Sequence, residues 1–140
     1  MKIEARQRLF ETLGDTGCFL LAMVEVAQDV LGKYIDALLV YAEALRLGYI
    51  NELCLVIKHE VLLERLTGDD WQYHKEAPDY VPRHDERVIE EWKRQAVGVD
   101  YTHFAYRRPS GELVDTLGNS VTIAKGYLKS KRVFRLIAGR

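Results

Sequence analysis

Gly17-Cys18-Phe19-Leu20-Leu21-Ala22-Met23-Val24-Glu25-Val26-Ala27-Gln28-Asp29-Val30-Leu31-Gly32 is the most apolar stretch of the chain. Within it Phe19, Leu20, Met23, Val24, Ala27, Val30 and Leu31 recur at spacings of three and four, which predicts an amphipathic to fully buried helix. Asp15-Thr16-Gly17 precedes it with N-cap chemistry and a permissive glycine, and Gly32 marks its exit. The run from Cys18 to Ala27 is interrupted by Glu25 and is about half the ~20 residues that cross a bilayer. The stretch is therefore a core helix that begins with a thiol.

Outward from it, the N-terminal half, residues 2–66, reads as helical. A second helix is expected over 34–47, with Ile35, Leu38, Leu39, Ala42 and Leu45 on one side and Gly48 as its stop. A third runs over about 58–66 and ends at Thr67-Gly68. From residue 70 the period changes. Trp71-Gln72-Tyr73-His74-Lys75 alternates as a half-exposed strand does, and Pro78, Pro82 and the charged run 83–87 form a loop. Strands are expected at 88–93, 101–107, 112–115, 121–124 and 132–137, with Pro109-Ser110-Gly111 as a tight turn. Helices first and strands later, without βαβ alternation, indicate one α+β domain over 1–140, a helical part (2–68) packed on a small antiparallel sheet (69–140).

The chain has 140 residues, enough for a core without disulfide or metal staples. Twenty basic against 21 acidic residues leave a net charge of −1, which lacks the electrostatic footprint of a nucleic-acid binder. The basic stretch Lys125, Lys129, Lys131, Arg132, Arg135 and Arg140 reads as ordinary solvated strand charge. Met1–Arg8 is charged throughout and lacks the apolar stretch of a secretory signal, so the expectation is a cytoplasmic protein with no membrane association. No phosphate-loop or dinucleotide fingerprint is present, two cysteines cannot form a four-thiolate zinc site, and no metal or cofactor is expected. His59-Glu60-Val61-Leu62-Leu63 opens like a zinc-protease helix but has Leu63 where the second histidine must be.

Two cysteines do leave room for one nucleophile. Cys18 opens a helix, where unsatisfied N–H groups and the dipole favour a thiolate, whereas Cys54 lies among Leu53, Leu55 and Val56 and reads as a core thiol. Of four histidines, His74 reads as a surface residue and His84 as a loop residue. His103 begins a strand whose hairpin returns Asp115 beside it. With a two-residue loop, paired numbers sum to 219 and His103 faces Thr116. A three-residue loop moves the pairing by one place, and that choice decides whether Asp115 shares the face of His103. Such a carboxylate orients an imidazole and steadies the imidazolium. Trp71, Tyr73 and Tyr80 read first as core aromatics and second as a substrate groove.

In Gly17-Cys18-Phe19-Leu20-Leu21-Ala22-Met23, Thr102-His103-Phe104-Ala105 and Val114-Asp115-Thr116-Leu117-Gly118-Asn119-Ser120, taken in order and spacing, the chain resembles the papain-like cysteine peptidases. Within them it is closest to the compact group containing the bacteriocin-leader-processing peptidases. Arg46-Leu47-Gly48-Tyr49-Ile50 and Leu66-Thr67-Gly68 resemble the helical part of small phage and bacterial relatives. The resemblance implies a papain-like fold, with Cys18 as nucleophile, His103 as general base then acid, and Asp115 as the orienting residue, with Asn119 second in line. It implies a peptide or cell-wall amide substrate. The departure lies upstream, where such peptidases place an oxyanion-hole Gln about six residues before the nucleophile. Here Thr12 holds that position and Gln7 lies eleven residues before Cys18. A lost oxyanion donor costs ~10²–10³ in rate, which keeps open an alternative: an inactive, phage-associated papain-like domain that serves as a binding or structural module.

Overall fold

The computed structural model describes residues 16–138. Among the described residues three helices come first: α1 (Cys18–Leu31), α2 (Ala37–Arg46) and α3 (His59–Thr67). The strands β1 (Asp70–Glu76), β2 (Glu86–Ala96), β3 (Val99–Arg107) and β4 (Leu113–Val114) follow, then a short helix α4 (Val121–Lys125) and β5 (Tyr127–Ala138). All strand pairings are antiparallel, in the order β1-β5-β2-β3-β4. The expectation of an α+β protein with a small antiparallel sheet therefore holds.

α1 forms where its apolar spacing requires, and Phe19, Leu20, Ala22, Met23, Val24, Val26 and Ala27 are buried along it. One continuous core joins these side chains to Trp71, Ile89, Tyr106 and Phe134 of the sheet. Burying a Leu or Phe of this kind contributes about 1.5–3 kcal/mol each, so this seam is the main attachment of helices to sheet. The Tyr106 hydroxyl donates to Asp29 Oδ2 at 2.8 Å and pins α1 against β3. α2 starts at Asp36, whose carboxylate accepts from Leu38 N–H at 3.0 Å. α3 lies along the outer strand β1. Its Glu60 accepts from Tyr73 N–H at 3.2 Å, and Glu64 approaches Trp71 N–H at 3.5 Å, on the side of β1 that has no partner strand.

The sheet differs from the reading of the sequence at several places, and β2 and β5 run beyond the expected 88–93 and 132–137. Residues 121–124, expected as a strand, form α4: Ser120 takes the N-cap position and its carbonyl accepts from Ala124 N–H at 3.1 Å. Four apolar residues fit a strand or a helical turn equally well, and here the turn closes against β2 through Gly126. A Cβ at Gly126 would lie 2.2 Å from the carbonyl oxygens of both Lys93 and Thr122, so only glycine allows that approach. Another difference is the β2–β3 hairpin, which turns through Val97 (φ 52°) and Gly98 (φ 73°), a two-residue connection with both central residues left-handed.

The β3–β4 register takes the second of the two loop lengths that the sequence left open. Tyr106 pairs with Val114 and Arg107 with Leu113, so paired numbers sum to 220 and the loop is Pro109-Ser110-Gly111, closed by Arg108 N–H to Glu112 O at 2.8 Å. β4 is only two residues long, shorter than the expected 112–115.

Candidate active site

Successive residues of β3 point to opposite faces of the sheet. Phe104 and Tyr106 share one face with Ile89 and pack toward α1. His103 and Ala105 share the other with Trp92 and Glu90. In the 220 register Asp115, just past β4, stands opposite Ala105 and therefore on the His103 side. The two-residue loop would have turned it away. His103 Nε2 lies 2.8 Å from Asp115 Oδ1.

Asp115 is itself held. Its Oδ1 accepts from Leu117 N–H at 3.0 Å and its Oδ2 from Ser120 N–H at 2.9 Å, as the chain bends into α4. Burial opposes its charge, yet the Ser120 N–H, His103 and the Leu117 N–H outweigh that and hold the carboxyl below its ordinary value. The carboxylate is thus fixed in place and in charge.

β4 covers β3 only at Tyr106 and Arg107, so among the described residues the stretch through His103 has an outer edge without a partner strand. The first residue of α1 meets it there, and the Cys18 thiol stands near enough to His103 to raise the imidazole as a side-chain partner. With Nε2 on Asp115, Nδ1 is the ring nitrogen left for the thiol. Burial pushes the imidazole down, but the sulfur and the carboxylate on its two sides outweigh this and leave it above its ordinary value. The three residues that the sequence proposed are therefore brought together, Cys18 half-buried and His103 buried between sulfur and carboxylate. Asn119 was second in line as orienter; the carboxylate hydrogen-bonded to His103 is that of Asp115.

Thr16 does not cap α1. Its hydroxyl donates to the carbonyl of Leu53, and the N-terminus at Gly17 carries no side-chain cap and no acidic residue in its first turn. The expected cap at Asp15 and the residues weighed for the oxyanion hole, Gln7 and Thr12, lie outside the described residues. The Thr16–Leu53 bond ties the start of α1 to the loop bearing Cys54. Asn51 Oδ1 organises that loop by accepting from the N–H groups of Leu53 and Leu55, both at 3.0 Å, and Cys54 sits in it with φ 63°. Cys54 is fully buried, and burial pushes its thiol up to about 12, as expected of a core thiol.

A cavity of about 460 Å³ opens between Cys18, Phe19, the 54–56 loop, His59, Thr102, Phe104 and Arg132. Of the aromatics weighed as a groove, Trp71 is buried and donates to Thr67 at 2.9 Å, and Tyr80 bonds Glu86 at 2.7 Å. Tyr73 contributes through His59, on which it stacks at 4.2 Å with rings 2° from parallel. In the sequence the one signal at His59 is an incomplete zinc motif, which does not point to this cavity. His74 lies 3.4 Å from Glu76 at the surface, and His84 is exposed. Among the described residues no group of three His, Cys, Asp or Glu side chains converges as metal ligands do, and no helix is long and apolar enough to cross a membrane.

Fold and site together define an α+β protein in which a thiol at a helix start, an imidazole on a strand and a carboxylate past a hairpin form one line. Over residues 1–136 the chain matches the model of the family described as protein of unknown function, DUF261, and it belongs to that family. No curated protein and no solved structure matches it.

Proposed function

We propose that the protein is a cysteine peptidase or related amide hydrolase with a papain-like architecture and a Cys18–His103–Asp115 triad. The observation that carries this reading is His103 held between the Cys18 sulfur and the Asp115 carboxylate. In the reaction the thiol proton passes to His103 Nδ1 and the thiolate attacks the amide carbonyl carbon. The C–N bond then breaks as His103 returns the proton to the leaving amine. Water, deprotonated by His103, attacks the thioester; the acid departs and Cys18 is protonated again. Asp115 keeps Nε2 protonated and so presents Nδ1 to the sulfur. The N-terminus of α1 lies at the nucleophile without a side-chain cap, which leaves the Cys18 backbone N–H to meet the developing oxyanion.

The test is selective alkylation of the native protein with iodoacetamide at pH 7. A free thiol is only a few per cent ionised there, so proton transfer to His103 should raise the rate at Cys18 roughly tenfold or more over free cysteine. His103→Ala should return it to the free-thiol rate. A Cys18 that reacts no faster than free cysteine, with no change in His103→Ala, defeats the enzyme reading and leaves a non-catalytic module.

A further inference from the structure

We propose that the cavity beside Cys18 receives the substrate side chain next to the scissile bond on the acyl side, that this side chain is uncharged and ring-bearing, and that His59 sets the preference. The inference rests on the hydrolase reading above and names the substrate class for that site.

Its side of the bond follows from the lining. Cys18, Thr102 and Phe104 border the cavity but His103 does not. The leaving amine must lie against His103 to take its proton, so a group in the cavity belongs to the portion that stays on sulfur. At about 460 Å³ the space falls within the roughly 300–1,000 Å³ of ligand pockets.

Its chemistry follows from the walls. Phe19 meets Phe104 edge-on at 4.9 Å and His59 edge-on at 5.2 Å, so ring faces and edges are already presented in the geometry that aromatic groups prefer. Val56 and Leu55 complete an apolar side. His59 is a wall of the same kind: it stacks on Tyr73, and burial together with the Arg132 charge pushes it down to about 4, leaving a neutral ring at physiological pH. Among the described residues that line it, the one full charge, Arg132, is already engaged. It donates to Tyr73 Oη at 3.0 Å and Ser130 Oγ at 3.2 Å, lies 3.4 Å from Glu91 and sits 5.4 Å from the Phe104 ring centre. A cationic side chain entering this space meets Arg132. An anionic one loses its water and must compete with Glu91 for that guanidinium.

The test uses the full chain and three peptidyl vinyl sulfones of equal length that differ only in the residue at the acyl-side position: phenylalanine, lysine or glutamate. Labelling of Cys18 is followed by intact mass, with iodoacetamide as the reference for the nucleophile alone. The phenylalanine probe should label about tenfold or more faster than either charged one, the scale of discrimination an apolar pocket provides. His59→Glu should shift the phenylalanine-to-lysine ratio about tenfold toward lysine. Leu55→Glu, at the exposed rim, should shift it the same way and serves if the first variant does not fold. Equal labelling by all three probes, or ratios unmoved in both variants, on a protein whose Cys18 still outpaces free cysteine with iodoacetamide, overturns the pocket and spares the nucleophile. A Cys18 inert to iodoacetamide and to all three probes overturns both.

Discussion

Asp115 accepts three hydrogen bonds, from His103, Leu117 N–H and Ser120 N–H. Asp115→Ala should therefore act twice. It leaves a buried imidazole and two backbone donors without their acceptor, a cost of about 1–3 kcal/mol readable in urea unfolding. It also frees His103 to choose the wrong tautomer, which should lower the alkylation advantage of Cys18 and reduce any hydrolysis on the order of 10²-fold. Stability lost with reactivity intact would make Asp115 a structural residue only. His59 carries a pH signature of its own. It is neutral in the folded protein down to about 4, whereas the unfolded chain takes up that proton near ~6.5. The unfolded state binds more protons between those values, so stability is complete above ~6.5 and falls as pH drops toward 4. His103 has the opposite sign: its contribution is present below its unfolded value and is lost as pH rises through the raised folded one. The acid limb should be flatter in His59→Phe than in wild type when melting temperature is followed from pH 7 to 4.5. An equal slope in both proteins would assign that limb to other groups.

At the scale of elements, the β2–β3 hairpin carries an avoidable strain. Val97 is fully exposed, buries nothing and holds φ 52°, where a β-branched residue is disfavoured. Val97→Asn should stabilise the fold by about 1–2 kcal/mol, checked by the urea midpoint at unchanged m-value. The same turn shows why parts of the fold were hard to read. Val97-Gly98 lacks the Asn-Gly signal of such hairpins, so the sequence shows only a break at Gly98. α1 was legible because seven apolar residues repeat over four turns, and a long periodic signal outweighs local ambiguity. Val121–Lys125 is too short for that, and its state was decided by Gly126 seating it against Lys93 O, a contact between distant parts of the chain. The grouping of Cys18, His103 and Asp115 was legible in its members but not in its geometry. One residue of loop length determined whether Asp115 faced His103, and Gly111, at φ 96°, belongs to the three-residue loop that turned it the right way.

Across the whole molecule, the site depends on two independent attachments meeting. The core from Phe19 to Phe134 and the Tyr106–Asp29 bond bring α1 to the sheet; the 115–126 segment brings the carboxylate from the other face. The sheet itself ends on one side in a two-residue strand and on the other in β1, seven residues long. Along that longer border the outward N–H groups of Trp71 and Tyr73 face Glu64 and Glu60 of α3. Removing both carboxylates in Glu60→Ala/Glu64→Ala should increase self-association at high concentration, measured by sedimentation velocity, because an open sheet border is a template for another chain. No change in sedimentation would show that α3 blocks the border by bulk alone. The helix that lines the cavity with His59 therefore also covers the donors of the sheet border, so a substitution at Glu60 or Glu64 reaches the edge of the sheet and the cavity wall through one element.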